Sequence, residues 1–186
     1  MHPTFERAMA QPIQANVLVA LCDWRLFFQL MKERGSIRMF ADLHEFYLLT
    51  EDHVQRTGGL VIKFMGDSAL AIYPQELAGG GIMALMELKR QVDAWFKRRG
   101  INSWLYVNAH YGEVTLGPMG RSGRLDVIGD TVNITATLGS KSFALSQQAF
   151  RCLSPEHRRL FHRFTQPVLY IPEAGALEPA PALANI

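Results

Sequence analysis

Short apolar runs and longer amphipathic stretches alternate along this chain, in an order that predicts strand, helix, hairpin, helix, hairpin and then shorter mixed elements. The run NVLVALCDW, Asn16 to Trp24, is bounded by polar residues and predicts a strand buried on both faces with Asp23 at its exit. From Ser36 to Thr57 the apolar positions Ile37, Phe40, Leu43, Tyr47 and Val54 recur at helical steps. Ser36 is placed to cap that helix and Gly58-Gly59 to end it. LVIKFMGDSALAIY then reads as two short strands around a turn at Gly66-Asp67, which predicts a hairpin. A second helical pattern opens loosely at Gly79-Gly80-Gly81 and closes at Gly100. Trp104 to His110 alternates apolar and polar residues, and Glu113 to Leu116 is expected to return beside it after a turn at Tyr111-Gly112. A short strand over Leu125–Ile128, a helix from Thr131, a strand-then-helix piece over Phe143–Leu153 and a last strand over Pro167–Ile171 complete the pattern.

This order predicts an α+β fold, a ferredoxin-like sandwich with helices packed on a mainly antiparallel sheet. With 186 residues, one domain is expected over residues 16–171, with an N-terminal tail over 1–15 and a flexible Pro- and Ala-rich C-terminal tail over 172–186. Hydrophobic residues make up 48% and charged residues 19% of the chain, a globular balance that can bury a sizeable core. Cys22 and Cys152 match neither a metal spacing nor a disulfide framework, which favours a reducing compartment. The chain shows no membrane-length apolar run and no signal-peptide order at its start, so a cytoplasmic, membrane-free protein is expected. A net charge of +2 with scattered basic residues argues against nucleic-acid binding. The basic cluster Lys89, Arg90 and Lys97–Arg99 reads as a solvated helix end.

Chemistry concentrates at two aspartates, Asp23 at a strand exit and Asp67 at a hairpin tip. If the strand lies beside the hairpin, both carboxylates reach one edge of the sheet. Carboxylate oxygens are hard ligands suited to Mg²⁺ or Mn²⁺ carrying a substrate triphosphate.

The segments around them resemble the class III adenylate and guanylate cyclase family. VALCDWRLFFQL is similar to the motif F-x-D-I-x-G-F-T, with Asp23 on its aspartate, Trp24 on its isoleucine and Phe27 on its later phenylalanine. VIKFMGDSALAIY resembles K-x-x-G-D-x-x-x-A-x-F through Lys63, Gly66 and Asp67. NAHYGEV resembles the hairpin segment I-H-T-G-E-V, and LDVIGDTVNITA resembles Y-D-x-x-G-x-x-V-N-x-A-x-R through Asp126, Gly129, Val132 and Asn133. The resemblance implies that Asp23, Trp24 and Asp67 form a metal site for two divalent ions, Mg²⁺ or Mn²⁺. It implies a substrate site of Lys63, Asp126, Asn133 and Phe27, with Asn133 orienting the ribose during catalysis. It further implies a homodimer whose active sites each combine the metal aspartates of one chain with Lys63, Asp126 and Asn133 of the other. Lys63 donates and Asp126 accepts, which complements the amino group and ring nitrogen of adenine and opposes guanine. ATP is therefore favoured, although cytosine offers the same edge and CTP stays open.

The pattern breaks at three places. Thr137 stands where the family carries an arginine that stabilises charge in the transition state, and Lys141, one helical turn further on, is the candidate catalytic substitute. Leu26 and Phe28 replace the glycine and threonine of the first motif. FTQPVLYIP holds no counterpart of the family's phosphate-binding lysine. A separately encoded partner supplying the arginine, or a nucleotide-binding domain that dimerises with little turnover, are the competing expectations. His110, beside the expected turn, reads as a structural hydrogen-bonder.

Overall fold

The computed structural model describes residues 1–139, 141–165 and 167–177. Strand β1 (Ile13–Trp24) is the spine, pairing antiparallel with β3 (Ser68–Pro74) on one side and β4 (Leu105–Met119) on the other. Both faces of this spine are covered, which is why its run Val17–Ala20 is apolar without alternation. Leu18, Ala20, Cys22 and Trp24 face a large core beneath helices α3 (Ser36–Arg56) and α4 (Ala78–Arg98). Val17 and Val19 face a smaller one with Phe5 and Ala8 of α1 (Pro3–Ala10). By strand alternation Asp23 turns to the α1 side of the sheet.

The remaining strands are β2 (Leu60–Met65), β5 (Arg124–Ile128), β6 (Phe143–Leu145), β7 (Phe161–Thr165) and β8 (Val168–Pro172). Among the described residues they make an eight-stranded sheet in the order β2-β3-β1-β4-β6-β8-β7, with β5 paired to β4. β4 and β6 run parallel and the other pairs antiparallel. The helices are α2 (Phe27–Arg34), α5 (Asp130–Thr137), α6 (Gln147–Arg151) and α7 (Pro155–Arg158) besides those above. This is the α+β architecture the pattern predicts. β2 and β5 are not paired in the sheet, yet Lys63 of one meets Asp126 of the other.

Several expectations are corrected. The N-terminal fifteen residues are not a tail: Pro3–Ala10 form α1, Phe5 and Ala8 are buried, and β1 begins at Ile13. Two turns of helix were too few to show a period. Tyr111-Gly112 is not a turn, since β4 runs unbroken and Gly112 pairs with Val17 in mid-strand. A Cβ at Gly112 would lie 2.6 Å from Thr131 Oγ1, so the glycine serves the close approach of α5. The turn that β4 does make comes at Gly120 and Gly123, both with positive φ, leading into β5. The start of α4 is tight rather than loose, for Gly81 admits the Tyr73 ring and Gly79 the Cys152 carbonyl, each at 2.5 Å from a built Cβ. Ser36 opens α3 from within while Gly35 takes the N-cap position, and α2 precedes it unforeseen. Ile37 and Phe40 are exposed, while Val54 is buried as the stripe predicts and is joined by Met39 and Phe46. At the C-terminus Ala176 and Leu177 pack on the large core, and the remainder of the expected tail, 178–186, lies outside the described residues.

Candidate active site

β1 and the β2–β3 hairpin bring the two aspartates together. Asp23 is register partner of Ser68 on β3 and of Tyr106 on β4. Ser68 Oγ donates to Asp23 Oδ2 at 2.6 Å, and the Trp24 N–H donates to the Asp67 carbonyl at 3.0 Å. Asp67 follows Gly66, whose φ of +63° turns the hairpin. Burial pushes the Asp67 carboxyl above the usual range and the Asp23 charge adds to the rise, while a hydrogen bond from its own backbone and the Arg25 charge act against it. Two hard-oxygen carboxylates close enough for the Asp23 charge to raise the proton affinity of Asp67 are a donor set that a dication relieves, so these residues fit Mg²⁺ or Mn²⁺. No group of three or more His, Cys, Asp or Glu side chains forms a metal cluster among the described residues.

Trp24 and Phe27 play a different part from a ligand side chain. The Trp24 indole is fully buried, with ring centroids 5.3 Å from Phe27, 5.7 Å from Phe46, 5.8 Å from Trp95 and 4.8 Å from Phe96. Its main-chain carbonyl is thus the atom through which it could reach a metal. The half-buried Phe27 ring belongs to the same cluster, so the structure gives it a packing role. Between them Leu26 has φ 60°, the one non-glycine positive φ among the described residues. The turn therefore keeps the left-handed conformation of a glycine with a leucine in it, a strain of roughly 1–2 kcal/mol. The Arg25 guanidinium stacks 4.5 Å from the Tyr106 ring centroid, beside the strand neighbour of Asp23.

Lys63 and Asp126 meet within one chain, with Lys63 Nζ donating to Asp126 Oδ2 at 2.7 Å. The Val127 N–H donates to the other oxygen at 2.8 Å. Burial pushes the Asp126 carboxyl up, but both hydrogen bonds and the Lys63 charge outweigh it and hold the group below the ordinary range. The pair lines a cavity of about 590 Å³ together with Glu51, Phe64, Ser122 and Arg124. Glu51 and Arg124 have no counterpart in the sequence reading. Glu51 belongs to the polar side of a helical stripe and Arg124 to a loop edge, so neither carried a signal.

Asn133 and Thr137 lie one turn apart on the exposed side of α5, where Thr137 Oγ1 donates to the Asn133 carbonyl at 3.0 Å. Thr131 and Thr135 bury the other side of that helix. Lys141 is corrected: α5 ends at Thr137, so the chain does not carry Lys141 a further helical turn. Its ammonium instead sits 4.0 Å from the Phe164 ring centroid on β7. His110 is buried, and its Nδ1 lies 2.8 Å from Ser146 Oγ, which also caps α6. Burial lowers its pKa. The sequence also passed over Ser68 and Tyr47, although Ser68 directly follows the motif aspartate.

No family model matches the chain. An adenylate cyclase of Anabaena cylindrica is 22% identical over 133 residues, covering 66% of this chain and 26% of that protein. Adenylate cyclase 2 of Rhizobium meliloti (strain 1021) is 26% identical over 146 residues, covering 74% of this chain and 40% of its own length. The chain thus spans well under half of the curated relatives it matches. A solved bacterial light-regulated adenylyl cyclase superposes with a TM-score of 0.74 at 18% identity, over 87% of this chain and 53% of that one. Guanylyl cyclase domains are among the other similar structures. The chain has the fold of the solved class III adenylyl and guanylyl cyclase domains. In sequence it is similar to adenylate cyclases over roughly two thirds to three quarters of its length.

Proposed function

We propose that residues 16–171, with α1 packed beneath them, form a nucleotide cyclase domain that converts ATP to 3′,5′-cyclic AMP and pyrophosphate. The observation that carries this reading is the closeness of Asp23, at the exit of β1, to Asp67, at the tip of the β2–β3 hairpin, in a chain that also joins Lys63 to Asp126. Mg²⁺ or Mn²⁺, two per site, held by Asp23, Asp67 and the Trp24 carbonyl, would lower the pKa of the ribose 3′-hydroxyl and neutralise the triphosphate. Ser68 fixes the Asp23 carboxylate by donating to its Oδ2. Lys63 would donate to a ring nitrogen of adenine while Asp126 accepts from its amino group. Guanine would set its carbonyl oxygen against Asp126 and its ring N–H against Lys63, and the two partly exposed side chains would keep their bond to each other instead of bonding the base. Asn133, on the open side of α5, would orient the ribose. The 3′-oxygen then bonds to the α-phosphorus as the bond to pyrophosphate breaks. Metal aspartates and base readers are taken to come from different copies of the chain, which makes the working unit a homodimer.

One observation supports a second reading, a nucleotide-binding module that dimerises but turns over little. Thr137 is a hydroxyl at the position where the family that the sequence resembles carries an arginine, and Lys141 is engaged on Phe164. A partner chain bearing an arginine would then restore turnover.

Incubation with ATP, GTP, CTP and UTP in turn, with Mn²⁺, followed by mass analysis separates these readings. A cyclic monophosphate from ATP, lost in Asp67→Asn, supports the cyclase. Saturable nucleotide binding without product supports the module, and cyclic CMP as main product would overturn the choice of ATP.

A further inference from the structure

The tip of the β2–β3 hairpin is an exposed turn. Met65 is 45% exposed, Gly66 is exposed, and no atom lies within 4 Å of where a Gly66 Cβ would be. A carboxylate carried on such a tip needs something to fix the peptide behind it. Tyr47 from the middle of α3 supplies this. Its hydroxyl donates to the Gly66 carbonyl at 2.6 Å, on the peptide unit that leads into Asp67. Its ring lies flat on Phe64, with centroids 3.8 Å apart and planes 10° apart, and Phe64 adjoins Lys63. Tyr47 is in turn backed by Phe46 at 6.2 Å, and Phe46 by the Trp24 ring at 5.7 Å. A row of aromatic rings, buried at Trp24 and Phe46 and half-buried at Tyr47, thus runs from the residue after Asp23 to the peptide before Asp67.

We infer that Tyr47 is a positioning residue that sets the Asp67 carboxylate against Asp23 through its hydroxyl. This rests on the reading of Asp23 and Asp67 as a metal pair. The two ends of the side chain do separate work. The hydroxyl governs the metal end of the hairpin, and the stacked ring steadies the strand that carries Lys63. Without the hydroxyl the Gly66 peptide turns to solvent, and the Asp67 carboxylate samples orientations away from Asp23.

Mn²⁺ alone is the probe, its binding read by electron paramagnetic resonance on the full chain without nucleotide. Tyr47→Phe keeps the ring and loses the donor, and is expected to weaken Mn²⁺ binding about three- to tenfold, the range for one lost hydrogen bond. Its circular dichroism and melting are expected to stay close to those of the parent. Tyr47→4-aminophenylalanine, which returns a donor to the same ring, is expected to recover the affinity, whereas a role in packing alone predicts no such rescue. If Tyr47→Phe binds Mn²⁺ as tightly as the parent while Asp67→Asn does not bind, the role of Tyr47 is refuted and the metal pair stands. If the parent and Asp67→Asn bind Mn²⁺ alike, the metal pair itself is refuted.

Discussion

Gly112 offers a sharp test of how the sheet holds α5. A methyl group added there would meet Thr131 Oγ1 at 2.6 Å. Thr131 has little room to retreat, for it is 4% exposed, and its Oγ1 donates to the Glu113 carbonyl at 2.7 Å. Turning that hydroxyl away forfeits a hydrogen bond of roughly 0.5–1.5 kcal/mol. Keeping it forces the helix off the sheet, and overpacking of this kind costs about 1–3 kcal/mol. The better strand fit of alanine returns roughly 0.5–1 kcal/mol. Gly112→Ala is therefore expected to destabilise the fold by about 0.5–2 kcal/mol, a fall in Tm of roughly 1–8 °C for a chain of this size. The mechanism is specific to one contact, so a double-mutant cycle isolates it. In a Thr131→Ala background the added methyl meets no oxygen, and Gly112→Ala is expected to be nearly neutral, with a coupling of about 1–2 kcal/mol. Urea unfolding of the four proteins gives the numbers. Additive losses, with coupling below about 0.3 kcal/mol, would refute the argument that α5 rests on that glycine.

Leu26→Gly and Leu26→Ala both lose the packing of Leu26 on the large core, so the left-handed turn is expected to make the glycine variant about 1 kcal/mol more stable than the alanine variant in urea; equal stabilities would mean that the turn is not left-handed in solution. His110 is held neutral by burial, so its folded pKa lies below the ordinary 6.5. Between those two values the unfolded chain binds the extra proton and the folded chain does not, so stability is complete above pH 6.5 and falls as pH drops through that window. His110→Gln is expected to flatten this part of the stability–pH curve, and an unchanged slope would assign the loss to other groups.

The core strands and the two long helices were legible because their burial repeats over enough residues to show a period. Asp23 and Asp67 were legible because strand exits and hairpin tips are places where polar residues break an apolar run. Gly112 misled for a physical reason: a glycine that makes room for a helix and one that turns a chain look alike until the neighbour is known. α1 was hidden by its two turns, and the exposed Ile37 and Phe40 by the assumption that every apolar residue on a helix seeks the core. Tyr47 was visible only as one more residue in a stripe, since its hydroxyl acts on a carbonyl nineteen residues away. The loss of helix after Thr137, which takes Lys141 elsewhere, follows from Gly139 at φ 140° and the Phe164 ring, neither of which a linear spacing reveals.

Complementation between two disabled chains tests the shared-site cyclase most directly. Asp67→Asn removes a metal ligand, and Lys63→Ala with Asp126→Ala removes the base readers; each protein alone is expected to form no cyclic AMP from ATP and Mn²⁺. When they are mixed in equal amounts and allowed to exchange, half the dimers are hybrids with one intact site of two, so activity should return to about one quarter of the parent value. Two dead chains that stay dead together, beside a parent that does form cyclic AMP, would contradict a site built from both copies.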